Sequence, residues 1–143
     1  LFQPGDAFVR LIDRQAETGA GLVIGLFPAH QPQKMDMVDL DPHGRVLGLA
    51  IKPPRTHLRF TWIIAVWDNR FSDFMHAFVA HRKTLQLDAS DRRELYVGDV
   101  IQAAIQDGLQ VENVLFSEGS YIDIGTPEDL SAAVQNPFQE RVP

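Results

Sequence analysis

The sequence predicts an α/β domain in which helices cover a mixed sheet. Three observations carry that reading. Leu22 to Phe27 is a continuous apolar run stopped by Pro28, short enough for a strand buried on both faces. Phe60 to Trp67 is aromatic, β-branched and uncharged, and Phe71, Phe74, Met75 and Phe78 follow it at helical spacing. Tyr121 to Ile124 is β-like again, and Gly125 then opens Thr126-Pro127-Glu128-Asp129, the letters of a helix start.

Taken in order, the chain justifies each element. After Pro4-Gly5, Asp6 is placed to cap a helix with Phe8, Leu11, Ile12 and Ala16 on one face, stopped near Gly19. The apolar strand Leu22–Phe27 follows. Met35 to Leu40 and Arg45 to Ile51 flank Asp41-Pro42-His43-Gly44, whose Pro and Gly suit a type I turn, so this stretch reads as a hairpin. Lys52-Pro53-Pro54 ends it, because proline cannot continue a ladder. Asp68 or Asn69 caps the phenylalanine-striped helix after Trp67, and that stripe reads as core. Leu85 to Arg93 is polar and reads as a loop. Glu94 to Asp107 reads as a helix with Val97, Val100, Ile101, Ala104 and Ile105 inward and Gly108 as its stop. Val111 to Phe116 is a further strand, and Glu118-Gly119 turns the chain into the Asp123 run. In the last helix Thr126 is the cap, Pro127 suits the first turn, and Asp129 answers the cap. Asn136-Pro137 closes it, and the tail to Pro143 is expected to fray. No repeat, low-complexity segment or linker interrupts residues 1–143, so a single domain is expected.

The totals exclude several classes. A chain of 143 residues with 45% hydrophobic and 22% charged residues has the make-up of an ordinary globular domain. Its net charge of −6 argues against a nucleic-acid-binding surface, which would need a basic stripe. With no Cys, disulfides and thiolate metal sites are excluded, and a cytoplasmic setting is expected. No apolar run has the length of a membrane span, and no stretch reads as a secretory signal. The opening Leu1-Phe2-Gln3-Pro4, without an initiator Met, reads as a chain cut from something longer.

Few residues carry a chemical signal. Asp123 sits where a strand would give way to a loop, the place where α/β sheets put their chemistry. It could hydrogen-bond its own turn, or it could ligate a hard cation such as Mg²⁺, which takes one or two carboxylates plus phosphate oxygens. Spacing does not choose between these. Lys52, held stiffly before two prolines, reads on its own as a solvated lysine. Asp99 reads as a brace for its helix. Asp36, Asp39 and Asp41 read as the solvent face of one strand. His30, His43, His57, His76 and His81 show no metal spacing and read as non-ligands. No Ser-His-Asp set and no Gly-rich phosphate loop occurs.

Tyr121-Ile122-Asp123-Ile124-Gly125-Thr126-Pro127-Glu128-Asp129-Leu130 with Ser131-Ala132-Ala133 resembles the closing signature of the sugar-nucleotide nucleotidyltransferases, which include glucose-1-phosphate thymidylyltransferases and mannose-1-phosphate guanylyltransferases. Asp41-Pro42-His43-Gly44-Arg45-Val46 with Ile51-Lys52-Pro53, and Glu94-Leu95-Tyr96-Val97-Gly98-Asp99-Val100, resemble two further segments of that family in the same order. The resemblance implies a three-layer αβα, Rossmann-like nucleotidyltransferase fold with a mixed sheet. It implies that residues 1–143 are the C-terminal portion of the domain, the sugar-phosphate side. The N-terminal nucleotide-binding portion, with its Gly-rich loop and second metal Asp, would lie outside. The implied reaction joins a nucleoside triphosphate to a sugar 1-phosphate and releases pyrophosphate.

In the roles this resemblance implies, Asp123 is a catalytic Mg²⁺ ligand and Lys52 a catalytic phosphate binder. Trp62 lies on the strand beside the sugar pocket, where it also reads as core. No nucleic acid or membrane partner is implied, while a homo-oligomer is compatible with the reading. Two departures stand out: Ile51 replaces a common Glu, and Asp36 stands where the family often has Gly. Both bear on which sugar is bound. A non-catalytic regulatory or partner-binding relative of the same fold is the alternative, and an unrelated doubly wound ligand-binding domain is a third. Residues 1–143 alone are expected to lack activity and to expose apolar faces and a strand edge.

Overall fold

The computed structural model describes residues 1–86 and 94–135. A short strand, β1 (Phe2–Gln3), leads into helix α1 (Ala7–Thr18), which is followed by β2 (Leu22–Pro28). A 3₁₀ turn at Pro32–Lys34 precedes a hairpin of β3 (Met37–Leu40) and β4 (Val46–Ala50). Then come β5 (Phe60–Trp67), α2 (Asn69–Gln86), α3 (Val97–Gln106), β6 (Val111–Leu115), β7 (Ser120–Tyr121) and α4 (Pro127–Gln135). The longer strands form one sheet in the order β4-β3-β5-β2-β6, and β1 pairs with β7 as a separate ribbon. Only the β2–β6 pair is parallel, so the sheet is mixed.

β2 divides the core because its side chains alternate between the two faces of the sheet. Leu22, Ile24 and Leu26 join Val38, Leu49, Phe71, Val100 and Ile101 beneath α2 and α3. Val23 and Phe27 face the other way, with Ala7 and Leu11 of α1, Ile64, Phe116 and Tyr121. The result is the expected αβα layering. Gly25 lies at the bulge in the β2–β5 register, and a Cβ there would sit 2.6 Å from Cγ1 of Ile64. Its missing side chain lets β5 cross close to β2.

Several local expectations hold for identifiable reasons. Asp41 accepts the N–H groups of His43 at 2.8 Å and Arg45 at 2.9 Å, and Gly44 takes φ +80°. That is a type I turn followed by a left-handed residue. Asp68 accepts the Arg70 N–H at 2.9 Å at the start of α2. Gly19 ends α1 at φ +65°, its N–H donating to the Gln15 carbonyl at 2.8 Å.

Other expectations are corrected. Helix α1 buries Ala7 and Leu11, while Phe8 is 43% and Ile12 is 55% exposed and Ala16 is exposed too. Close approach to the sheet favours small Ala7 over bulky Phe8. Asp6 stands at the N-cap of α1 without a side-chain cap bond. The hairpin strands are shorter than the apolar pattern, and the Asp123 strand shrinks to Ser120–Tyr121 because its partner β1 has only two residues. Helix α2 runs through Leu85 to Gln86, where a loop was expected, and 87–93 lie outside the described residues. Helix α3 starts at Val97, not Glu94, since the Asp99 carboxylate accepts the Tyr96 N–H at 3.0 Å and makes Tyr96 the cap. Val97 is then exposed in the first turn, not inward. The Asn136-Pro137 stop and the tail lie outside the described residues, but α4 does reach Gln135.

Candidate functional site

A cleft of about 420 Å³ opens over the first half of β5, whose start pairs with the carboxyl end of β2, close to where α/β sheets receive ligands. Its walls come from five separate stretches, of which Leu1 and Phe2 at the start of the chain form one. The turn before β3 supplies Lys34 and Asp36, the turn after β4 supplies Lys52, the start of β5 supplies Trp62, and the segment after β7 supplies Asp123. Lys52, Trp62 and Asp123, singled out from sequence, therefore share one cavity.

Each is placed by local structure. Lys52 stands two positions beyond Ala50, the last ladder residue of β4, and takes φ +41°, a left-handed conformation rare outside glycine. Its ammonium lies 3.5 Å from the centroid of the Tyr96 ring, a cation–π contact. Trp62 pairs with Leu26 across the β2–β5 ladder, is half-buried, and packs on the core while also lining the cleft. Its reading as a core residue holds in part, since it packs against the core without being fully buried. Asp123 is exposed at the rim, two positions beyond β7. Its negative charge contributes to holding the Tyr121 phenol above its ordinary pKa, an effect that burial of the ring dominates. The Tyr121 hydroxyl donates to the Met35 sulfur at 3.0 Å, which fixes the wall beside Asp123.

Asp36 is the main correction at the site. It does not join Asp39 on the solvent face but turns inward, half-buried, onto the cleft floor. Burial raises its pKa, and the nearby Asp99 carboxylate adds to this. The Lys52 charge is the largest opposing influence, followed by the Lys52 backbone N–H and the Trp62 indole. Even so, its Oδ1 is buried and has no hydrogen-bond partner. Room for the carboxyl comes from Gly98, where a Cβ would lie 2.9 Å from the Asp36 Cγ and 2.8 Å from the Ile51 Cδ1. The two departures noted in the sequence, Asp36 and Ile51, thus meet at one glycine. Ile51 packs with the core and is absent from the cleft wall.

Sequence reasoning missed Lys34 and Tyr96. Lys34 adds a second cation to the cleft from the 3₁₀ turn, and no spacing ties it to Lys52. Tyr96 reads as one letter of a helix start until Lys52 is seen against it. Asp99 braces α3 as expected.

Among the described residues no three His, Cys, Asp or Glu side chains come together to hold a metal. A single exposed carboxylate beside two lysines fits a hard cation that completes its shell with phosphate oxygens and water. It does not fit a cation needing a full protein cage.

A three-layer αβα domain with this mixed sheet and a cation-bearing cleft at its strand ends has a Rossmann-like architecture. The family model described as nucleotidyl transferase matches residues 3–140, and the chain belongs to that family. It is similar to Agl11, a low-salt glycan biosynthesis nucleotidyltransferase of Haloferax volcanii, at 28% identity over 138 residues. That match covers 95% of this chain and 36% of the relative. In fold it is similar to a Bacillus anthracis protein described as a glucose-1-phosphate thymidylyltransferase in complex with a sucrose. The TM-score is 0.67 at 16% identity, over 93% of this chain and 49% of the other. The chain thus spans about half or less of the length of these relatives. No helix among the described residues is long and apolar enough to cross a membrane.

Proposed function

We propose that this chain forms the sugar-phosphate side of an enzyme that joins a nucleoside triphosphate to a sugar 1-phosphate. In the reaction a phosphate oxygen of the sugar 1-phosphate attacks the α-phosphorus. The bond from that phosphorus to the bridging oxygen of the leaving pyrophosphate breaks. The protein is asked for little covalent chemistry, so catalysis is positioning plus charge neutralisation.

The observation that carries the reading is the meeting of Lys52, Trp62 and Asp123, from distant parts of the chain, in one cleft. Lys52 binds the sugar phosphate as a point charge, and Trp62 walls the sugar. Asp123 holds Mg²⁺, which when bound neutralises charge on the reacting phosphates. Cytoplasmic location accords with a reaction on nucleoside triphosphates. The non-catalytic alternative is disfavoured because the cleft keeps both the cation and the carboxylate that the reaction needs.

The test is pyrophosphate release by the complete gene product with panels of nucleoside triphosphates and sugar 1-phosphates. Asp123→Ala is expected to lower turnover by about 100-fold or more, the scale of removing a metal-held charge stabiliser, with the circular dichroism spectrum unchanged. Near-normal turnover in that variant would refute the role of Asp123. Tight ligand binding without release by the unaltered protein would favour the regulatory relative.

A further inference from the structure

The Lys52 ammonium does not stand free in the cleft. It rests 3.5 Å from the centroid of the Tyr96 ring, well inside the range in which an aromatic face attracts a cation. Both ends of this contact are anchored. Lys52 has φ +41° and is followed by Pro53 and Pro54, so its backbone has little freedom. Tyr96 is fixed as the N-cap of α3, its N–H donating to the Asp99 carboxylate at 3.0 Å and its carbonyl accepting the Asp99 N–H at 3.0 Å. Lys52 lines the cleft and Tyr96 does not, so the ring stands behind the cation.

We propose that Tyr96 is a positioning residue for the cleft: its ring holds the Lys52 ammonium at the place where a phosphate oxygen of the substrate is received. A lysine stem carries a large rotamer entropy, which phosphate binding must otherwise remove. A ring contact removes part of it beforehand. Because cation–π attraction uses the face of the ring, the ammonium keeps N–H groups for an anion on the cleft side. The contact itself stands on geometry alone, and its bearing on substrate rests on the sugar 1-phosphate reading above.

The test uses the complete gene product with Tyr96→Leu and Tyr96→Phe, each alone and with Lys52→Met. Tyr96→Leu is expected to raise KM for the sugar 1-phosphate about tenfold, leaving KM for the nucleoside triphosphate unchanged, and Tyr96→Phe to restore it. In the Lys52→Met background Tyr96→Leu should add no further loss, because its effect runs through the lysine. The ε-CH₂ resonances of Lys52 should be shifted upfield by the ring in the unaltered protein and in Tyr96→Phe, and released in Tyr96→Leu. If Tyr96→Leu fails to fold, pentafluorophenylalanine at this position keeps the shape and inverts the ring quadrupole, and the same comparison with Tyr96→Phe applies. Equal losses with and without Lys52, or resonances indifferent to the ring, would overturn the proposal. Ring-shifted resonances in a protein that turns over no sugar 1-phosphate would instead overturn the proposed function, and with it the phosphate-receiving role of the contact.

Discussion

Asp36 shows how one side chain can be legible in chemistry and illegible in position. Its letter promises a solvent-facing carboxylate, yet the fold turns it inward beside Lys52 and Trp62 with one oxygen unpartnered. Burial raises its pKa above the ordinary 3.8. A carboxyl whose folded pKa is raised contributes stability that is fully present below its unfolded pKa. That contribution is lost as pH rises through the folded pKa, so at neutral pH the ionised carboxylate is a burden. Asp36→Asn is therefore expected to raise the thermal midpoint at about pH 7.5, by a few degrees at most because the group is half-exposed. The gain should shrink as pH falls towards about 4. Thermal melts of both proteins across that range check it, and a gain that persists or grows in acid would contradict the assigned cause. The side chains singled out in sequence, Lys52 and Asp123, sit in local contexts that mark them: a double proline and a strand–turn–helix signature. Lys34 and Tyr96 have no such mark, because what makes them matter is a neighbour distant in the chain.

At the scale of elements, β2 and β5 were legible because a run of apolar or β-branched residues admits few alternatives. The inward face of α1 was legible only at Leu11. Phe8 and Ile12 are more apolar than Ala7, but the distance from helix to sheet, which no single sequence prints, selects the smaller side chain. Helix α3 adds a similar case in Gly98. In a first turn Gly looks like a weak choice, since Ala would favour the helix by about 1 kcal/mol. A Cβ there would come within 2.8 Å of the Ile51 Cδ1 and 2.9 Å of the Asp36 Cγ. Overpacking of this kind costs about 1–3 kcal/mol, so the clash outweighs the propensity. Gly98→Ala is expected to lower stability by about 1 kcal/mol and, under the proposed function, to raise KM for the sugar 1-phosphate, because Asp36 and the Ile51–Lys52 turn must shift. Urea unfolding and steady-state kinetics read the two effects separately. A more stable variant with unchanged KM would mean that the turn yields freely.

Across the whole molecule, the two cores are separate in membership but share one strand. Ile24 and Leu26 belong to the layer under α2 and α3, while Val23 and Phe27 belong to the layer under α1. Neither layer can loosen without freeing one side of β2, the strand that carries both the parallel and an antiparallel ladder. The cleft depends on this arrangement. Trp62 is held by its ladder partner Leu26, and Phe116, which begins the path to Asp123, donates its N–H to the Leu26 carbonyl at 2.9 Å. Damage in the layer remote from Lys52 should therefore reach the site as loss of the folded state, not as a graded change in affinity. Leu11→Ala, under α1, and Ile101→Ala, under α3, each remove a fully buried side chain and are expected to cost about 2–5 kcal/mol. In both variants tryptophan fluorescence, which reports on the sheet through Trp62, and far-ultraviolet circular dichroism, which reports mainly on the helices, should trace a single coincident unfolding transition. Transitions that separate in Leu11→Ala alone would show that the α1 layer opens independently, and that β2 does not couple the two cores.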